Sequence, residues 1–222
     1  MPIPMPDDVS LLTVKPTSSV ATTSGSVVPQ AGNELLVLAS GSPRRRALLA
    51  ELGVRFESLD LAIDERPVPN EEAMAYARRV AREKATAALP LRPGKWILGA
   101  DTVVEIDGVI LGKPSDQSAA RSMLSRLSGR THRVITAVSL IAPDGTVQLD
   151  DAVVSHVRFR RLSLQDIDDY VKSGEPFDKA GAYAVQGLGG KHVESVEGSY
   201  SSVIGLPLEL VKEALTIRGL LP

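Results

Sequence analysis

Apolar positions along this chain recur at two periods, and the switch from one to the other marks out its elements. Residues 35–39, Leu-Leu-Val-Leu-Ala, are a continuous apolar run of buried-strand length. Ser40-Gly41-Ser42 is a turn of small residues. Pro43 then opens a helix with Leu48, Leu49 and Leu52 on one side and Gly53 as its stop. Residues 54–59 alternate as a short strand. Residues 71–89 return to helical spacing, with Ala73, Ala77, Val80, Ala81 and Ala88 on one stripe and Arg78, Arg79, Arg82 and Glu83 elsewhere. An apolar run at 96–104 leads to the hairpin turn Asp107-Gly108 and a partner strand at 109–111. Residues 115–127 form a capped amphipathic helix, and two alternating strands, 132–142 and 146–161, are joined by Pro143-Asp144-Gly145. Ser163 opens a short helix carrying Ile167, Tyr170 and Val171 that Gly174 closes, and Pro207 begins a final helix over 208–217. The intermixing of strands and helices predicts an α/β fold.

The first 33 residues keep neither period. They are rich in Ser, Thr, Pro and Val, and their first positive side chain is Lys15. The basic start and compact apolar block of a signal peptide are missing, so residues 1–33 read as a disordered extension and the single domain runs over 34–222. A chain of 222 residues suffices for one sizeable core or two small lobes around a cleft. With 25 basic and 27 acidic residues the formal charge is −2, which excludes the footprint of a general nucleic-acid binder and makes any basic site local. The absence of cysteine excludes a disulfide framework, a thiolate nucleophile and a cysteine metal site, and it fits a cytoplasmic setting. No apolar run approaches the ~20 residues that span a bilayer, so no membrane partner is expected.

Five stretches carry candidate chemistry. Arg44, Arg45 and Arg46 occupy the first turn of the first helix, where cations oppose the helix dipole by roughly 0.3–1 kcal/mol each. Either they meet a polyphosphate together with the free backbone N–H groups, or they form a solvated basic turn. Lys84 falls inside the apolar stripe of the 71–89 helix, which is an expensive place for an ammonium unless it meets an anion or snorkels out at the stripe's end. Asp101 and Thr102 interrupt an apolar strand, and the Asp107-Gly108 hairpin returns Lys113 toward the same end. That arrangement is a site or a structural ion pair. Asp64 and Glu65 sit at a strand end where a metal or a water could be held, or where exposed acidic loop residues are common. Finally, residues 175–187 combine small residues with Gln186, whose amide offers one donor and one acceptor, the complement of the N3–H and O4 edge of uracil or thymine. His132 and His156 lack metal-ligand spacing and are structural or exposed.

Ser40-Gly41-Ser42-Pro43-Arg44-Arg45 resembles the signature of the Maf family of nucleoside triphosphate pyrophosphatases. Ala100-Asp101-Thr102-Val103-Val104, Gly112-Lys113-Pro114, residues 175–187 and residues 198–207 match further motifs in the family's order. Ala184 stands where the family usually has glycine. The resemblance implies a bent mixed β-sheet with flanking helices, two lobes around a nucleotide cleft, and a homodimer. It implies hydrolysis of dTTP and UTP to the monophosphate and pyrophosphate, with links to cleansing modified pyrimidine nucleotides and to division arrest. It makes Asp101 the catalytic base and assigns Ser40, Ser42, Arg44, Arg45, Lys84 and Lys113 to the substrate phosphates. It gives Arg44, Thr102 and Gln186 the choice of base, and Glu65 with Asp101 a divalent cation, Mg²⁺ or Mn²⁺. The competing expectations are a non-catalytic nucleotide-binding regulator of septum formation and a pyrophosphatase for 7-methyl-GTP or another non-standard nucleotide.

Overall fold

A computed structural model describes residues 35–221; the expected extension at 1–33 lies outside the described residues. Seven strands form one mixed sheet, β1 (Leu36–Ala39), β2 (Phe56–Ser58), β3 (Trp96–Ile106), β4 (Val109–Leu111), β5 (Thr131–Ile141), β6 (Val147–Phe159) and β7 (Val193–Glu197). Their order is β2-β1-β3-β5-β6-β7, with β4 also on β3. Among the described residues six α-helices flank them, α1 (Pro43–Glu51), α2 (Ala73–Ala88), α3 (Gln117–Leu127), α4 (Leu164–Lys172), α5 (Tyr200–Ile204) and α6 (Leu208–Ile217). The expected α/β mixture is therefore found.

β1 is apolar throughout because it is covered on both faces and lies between two parallel neighbours, β2 and β3. β3 is the long strand on which everything else is registered. Its first half pairs with β1 as far as Ala39 opposite Gly99, and its second half pairs with β4 from Val104 opposite Leu111. On its other edge β5 pairs without interruption from Ile97 to Glu105. Residues 100–103 are thus paired on one edge and stand between two strand ends on the other.

The alternation of side chains along β3 distributes the core. Ile97 and Val103 point to the face covered by α2, where Ala77, Val80, Ala81, Ala85 and Ala88 pack. On the opposite face Leu98 and Ala100 join α1 and α6 through Leu48, Leu49, Val211 and Leu215. Val104 and Ile106 join α3 and α4 through Leu124, Leu127, Ile167 and Tyr170. That face therefore carries two separate clusters, the physical form of the two expected lobes.

α3 starts at Gln117 instead of at 115, because Asp116 is its cap: the carboxylate accepts from the Ala119 N–H at 2.8 Å. The final helix α6 occupies 208–217 as expected, with Pro207 immediately before it. His132 and His156 behave as expected. His132 is buried, with Nε2 2.7 Å from the Tyr183 hydroxyl, and burial pushes it down to about 4, so the ring is neutral at pH 7. His156 is exposed.

Candidate active site

The interrupted edge of β3 opens into a cleft of about 740 Å³. All ten residues singled out for substrate or metal, Ser40, Ser42, Arg44, Arg45, Glu65, Lys84, Asp101, Thr102, Lys113 and Gln186, line it. They come from six separate stretches of the sequence.

The chain leaves β1 through Ser40-Gly41-Ser42. The Ser42 hydroxyl caps α1 by accepting from the Arg45 N–H at 3.4 Å, and the Ser42 N–H donates to Ser40 Oγ at 3.2 Å. Ser40 Oγ also accepts from Arg45 Nη1 at 3.2 Å, so its own proton is left to donate elsewhere. A Cβ on Gly41 would lie 2.4 Å from the Asp60 carboxylate, so a side chain there would have to displace Asp60.

The three arginines separate because successive helical residues point about 100° apart. Arg45 turns inward and is buried. Its Nε donates to the Gly205 carbonyl at 2.8 Å and its Nη2 to Thr102 Oγ1 at 3.1 Å. Burial pushes its pKa below the usual guanidinium value, against the pull of the Asp101 carboxylate. Arg44 faces the cleft's edge, 3.7 Å from Asp178 on the far side, and the exposed Arg46 donates to the Gly41 carbonyl at 2.9 Å.

Asp101 and Thr102, being consecutive in β3, leave the sheet on opposite faces. Thr102 pairs with Thr136 of β5, with hydroxyls 2.9 Å apart, and Thr136 spends its proton on the Ser202 carbonyl at 2.6 Å. Thr102 is therefore the donor to Thr136, and it can only accept from anything in the cleft.

Asp101 meets Lys84. The Lys84 ammonium donates to Asp101 Oδ1 at 2.8 Å and stands 2.8 Å from Glu65 Oε1. Both Lys84 and Asp101 side chains are 10% exposed, which decides against the snorkelling alternative. Gly99, two residues before Asp101 on the same face, explains how α2 comes so near. A Cβ there would lie 2.2 Å from the Ala81 carbonyl, so the helix backbone rests directly on the strand. Tyr76, one and two turns before Val80 and Lys84 on the same stripe, donates to the Glu65 carbonyl at 2.7 Å and fixes the loop that carries Glu65. Of the two adjacent carboxylates only Glu65 faces the cleft; Asp64 turns out to the exposed Arg66 at 2.6 Å.

The two carboxylates that share Lys84 are pushed apart. Burial raises Asp101 above its ordinary value despite Lys84 and Arg45. Burial also raises Glu65, but the hydrogen bond from Lys84 and the charges of Lys84, Lys113 and Arg45 outweigh it and leave Glu65 lowered. A raised carboxyl beside a lowered one is the arrangement that separates a proton acceptor from a fixed anion. Asp101 Oδ1 and Glu65 Oε1 converge on the Lys84 ammonium, which leaves the second oxygen of each carboxylate as the kind of hard donor that Mg²⁺ or Mn²⁺ takes. Among the described residues there is no group of three or more acidic, histidine or cysteine side chains that could hold an ion, so such an ion would complete its shell with water and phosphate oxygens.

Sequence reasoning missed Tyr76, Thr136, Asp178 and the Gly205 carbonyl. Only Tyr76 had a usable signal, its spacing of four and eight residues from Val80 and Lys84.

The family model described as Maf-like protein matches residues 35–217. The dTTP/UTP pyrophosphatase of Hahella chejuensis is 53% identical over 180 residues, covering 80% of this chain and 89% of that protein. That of Myxococcus xanthus is 52% identical over 190 residues, covering 86% and 95%, and that of Escherichia coli O157:H7 is 51% identical over 182 residues, covering 82% and 91%. With such a match over almost every residue that builds the sheet and its cleft, the chain belongs to the family of Maf-like proteins.

Proposed function

We propose that this chain is a nucleoside triphosphate pyrophosphatase that hydrolyses dTTP and UTP to the monophosphate and pyrophosphate. The observation that carries the reading is the buried Lys84 ammonium shared by Asp101 and Glu65, in a cleft whose other walls hold Arg44, Lys113, the capped turn of α1 and Gln186. The printed activity of the three relatives supports the substrate class.

Phosphoryl transfer needs an aligned water and charge neutralisation more than a protein nucleophile. Arg44, Arg45, Lys84 and Lys113 spread positive charge over the triphosphate, while Ser40, Ser42 and the N–H groups opening α1 add hydrogen bonds. Asp101, with its raised pKa, takes the proton of the attacking water. The water oxygen bonds to phosphorus, the bridging oxygen between the α and β phosphates departs, and pyrophosphate leaves. Glu65 and Asp101 would hold a divalent cation, which supplies further charge neutralisation at the phosphates. Gln186 presents its amide donor and acceptor to the base, and Arg44 and Thr102 complete the choice of base. The working form is a homodimer in the cytoplasm. Among the described residues no helix is long and apolar enough to cross a membrane.

The test is pyrophosphate release from dTTP, UTP, CTP, dATP, GTP and 7-methyl-GTP, with Mg²⁺ and with EDTA, by wild type and Asp101→Asn. Metal-dependent release confined to dTTP and UTP and lost in the variant is the expected result. Release from 7-methyl-GTP instead would overturn the role of Gln186. Binding of nucleotides without any release would leave a regulator.

A further inference from the structure

Gln186 lies at the exposed tip of residues 184–189, and its side chain makes no hydrogen bond among the described residues. A glutamine amide left to swing can turn over and exchange its donor and acceptor, which would let it pair with cytosine as well as with uracil or thymine. Discrimination therefore depends on what holds the backbone beneath it.

Two side chains fill the inside of that loop. Tyr170, buried on α4, accepts from the Ala184 N–H at 3.3 Å and donates to Glu175 Oε1 at 2.9 Å. Glu175 Oε1 accepts from the Gly189 N–H at 3.0 Å, and its Oε2 accepts from the Leu188 N–H at 3.0 Å. The backbone is thus tied two residues before Gln186 and again two and three residues after it, to one phenol and one carboxylate. The loop is wrapped closely round them. A Cβ on Gly189 would fall 2.5 Å from the Tyr170 hydroxyl, and one on Gly187 would fall 2.9 Å from Glu175 Oε2. Gly187 and Gly189 have room only because they lack side chains there.

We propose that Tyr170 and Glu175 are positioning residues for base discrimination, acting through Gln186 by holding residues 184–189 in one shape. Neither lines the cleft. The inference rests on the reading of Gln186 as the base-reading residue.

The experiment is steady-state hydrolysis of dTTP and dCTP by wild type, Tyr170→Phe, Glu175→Gln, Gln186→Ala and the double variant Tyr170→Phe/Gln186→Ala. Tyr170→Phe removes one oxygen and keeps the ring, so it remains informative if Glu175→Gln does not fold. The expected result is a rise in KM for dTTP with a smaller change in kcat, and a fall of about tenfold or more in the dTTP-to-dCTP ratio of kcat/KM for Tyr170→Phe. The double variant should be no less discriminating than Gln186→Ala alone, because coupled residues are not additive. A ratio that collapses in Gln186→Ala but holds in Tyr170→Phe and Glu175→Gln overturns the positioning role alone. A ratio untouched by Gln186→Ala overturns the reading of Gln186 and this inference with it. Losses that add fully in the double variant show that Tyr170 acts elsewhere, and also overturn it.

Discussion

Lys84 Nζ stands 2.8 Å from Asp101 Oδ1 with both side chains nine-tenths buried, and the same ammonium reaches Glu65. One cation thus serves two carboxylates of which only one is strongly desolvated. Removing it leaves buried negative charge without a partner, a change that costs about 3–5 kcal/mol when one member of a buried pair is lost. Lys84→Met is expected to lose stability of that order in urea unfolding, and Lys84→Met/Asp101→Asn to recover part of it. Equal losses in the single and double variants would mean that the pair is not what Lys84 stabilises.

Asp101→Asn should separate catalysis from folding. Loss of a general base lowers turnover by about 10²–10⁴-fold. Lys84 keeps Glu65 as a partner, and a neutral amide suits a site where burial already disfavours the carboxylate. The variant's melting temperature at neutral pH is therefore expected to be no lower than that of wild type.

The pH dependence follows from the direction of the two shifts. Asp101 is raised above 3.8, so kcat/KM should fall with acid around a midpoint above that value, and the carboxyl carbon should titrate there in the free enzyme. Its contribution to stability is present below the ordinary carboxylate value and is lost as pH rises through the raised one. Glu65, being lowered, has the opposite sign: its stabilisation is present above its ordinary value and is lost as pH falls through the lowered one. Lys84→Met removes a charge that favours ionised Asp101 and should move that carboxyl titration further up.

At Gly99 a side chain has no room, because the Ala81 carbonyl would lie 2.2 Å from a Cβ. Gly99→Ala should cost about 1–3 kcal/mol by overpacking. It should also lower turnover, because pushing α2 off β3 draws Lys84 away from Asp101. Chemical denaturation and dTTP turnover measure the two effects separately.

Arg45→Lys tests the inward arginine. A single ammonium cannot reach Ser40, Thr102 and the Gly205 carbonyl together as the planar fork does. A loss of about 1.5–3 kcal/mol is expected in unfolding, the size of a hydrogen bond to a charged group. Stability equal to wild type would show that these contacts contribute little.

Much of the site could be read from the chain because the informative residues break a local pattern. Lys84 is conspicuous within an alanine stripe, and Asp101 within an apolar strand, and both turned out to face each other. Ser42 is legible as a cap from its place before Pro43. What stayed hidden depends on tertiary partners. Three consecutive arginines give no sign of which one turns inward, since the choice is made by the Gly205 carbonyl 160 residues away. β7 is a five-residue strand, Val-Glu-Ser-Val-Glu, at the sheet's edge beside β6, and α5 is a single capped turn. Neither is long enough to show a period of its own. The tie between Tyr170 and residues 184–189 likewise joins two segments that read separately as a helix and a glycine-rich loop.

The uninterrupted pairing of β3 with β5 also says where motion can occur. Because Asp101 and Thr102 both sit on a strand bonded to β5 from Ile97 to Glu105, the floor of the cleft is a spine common to both walls. Drawing in around a nucleotide then falls to the segments hung from that spine: the loop bearing Glu65, the turn bearing Lys113 and the stretch from Asp178 to Gln186. A perturbation of the spine itself would be felt at Asp101 and Thr102 together, on both faces of the sheet, whereas a change in any one hanging segment would alter one part of the cleft's lining.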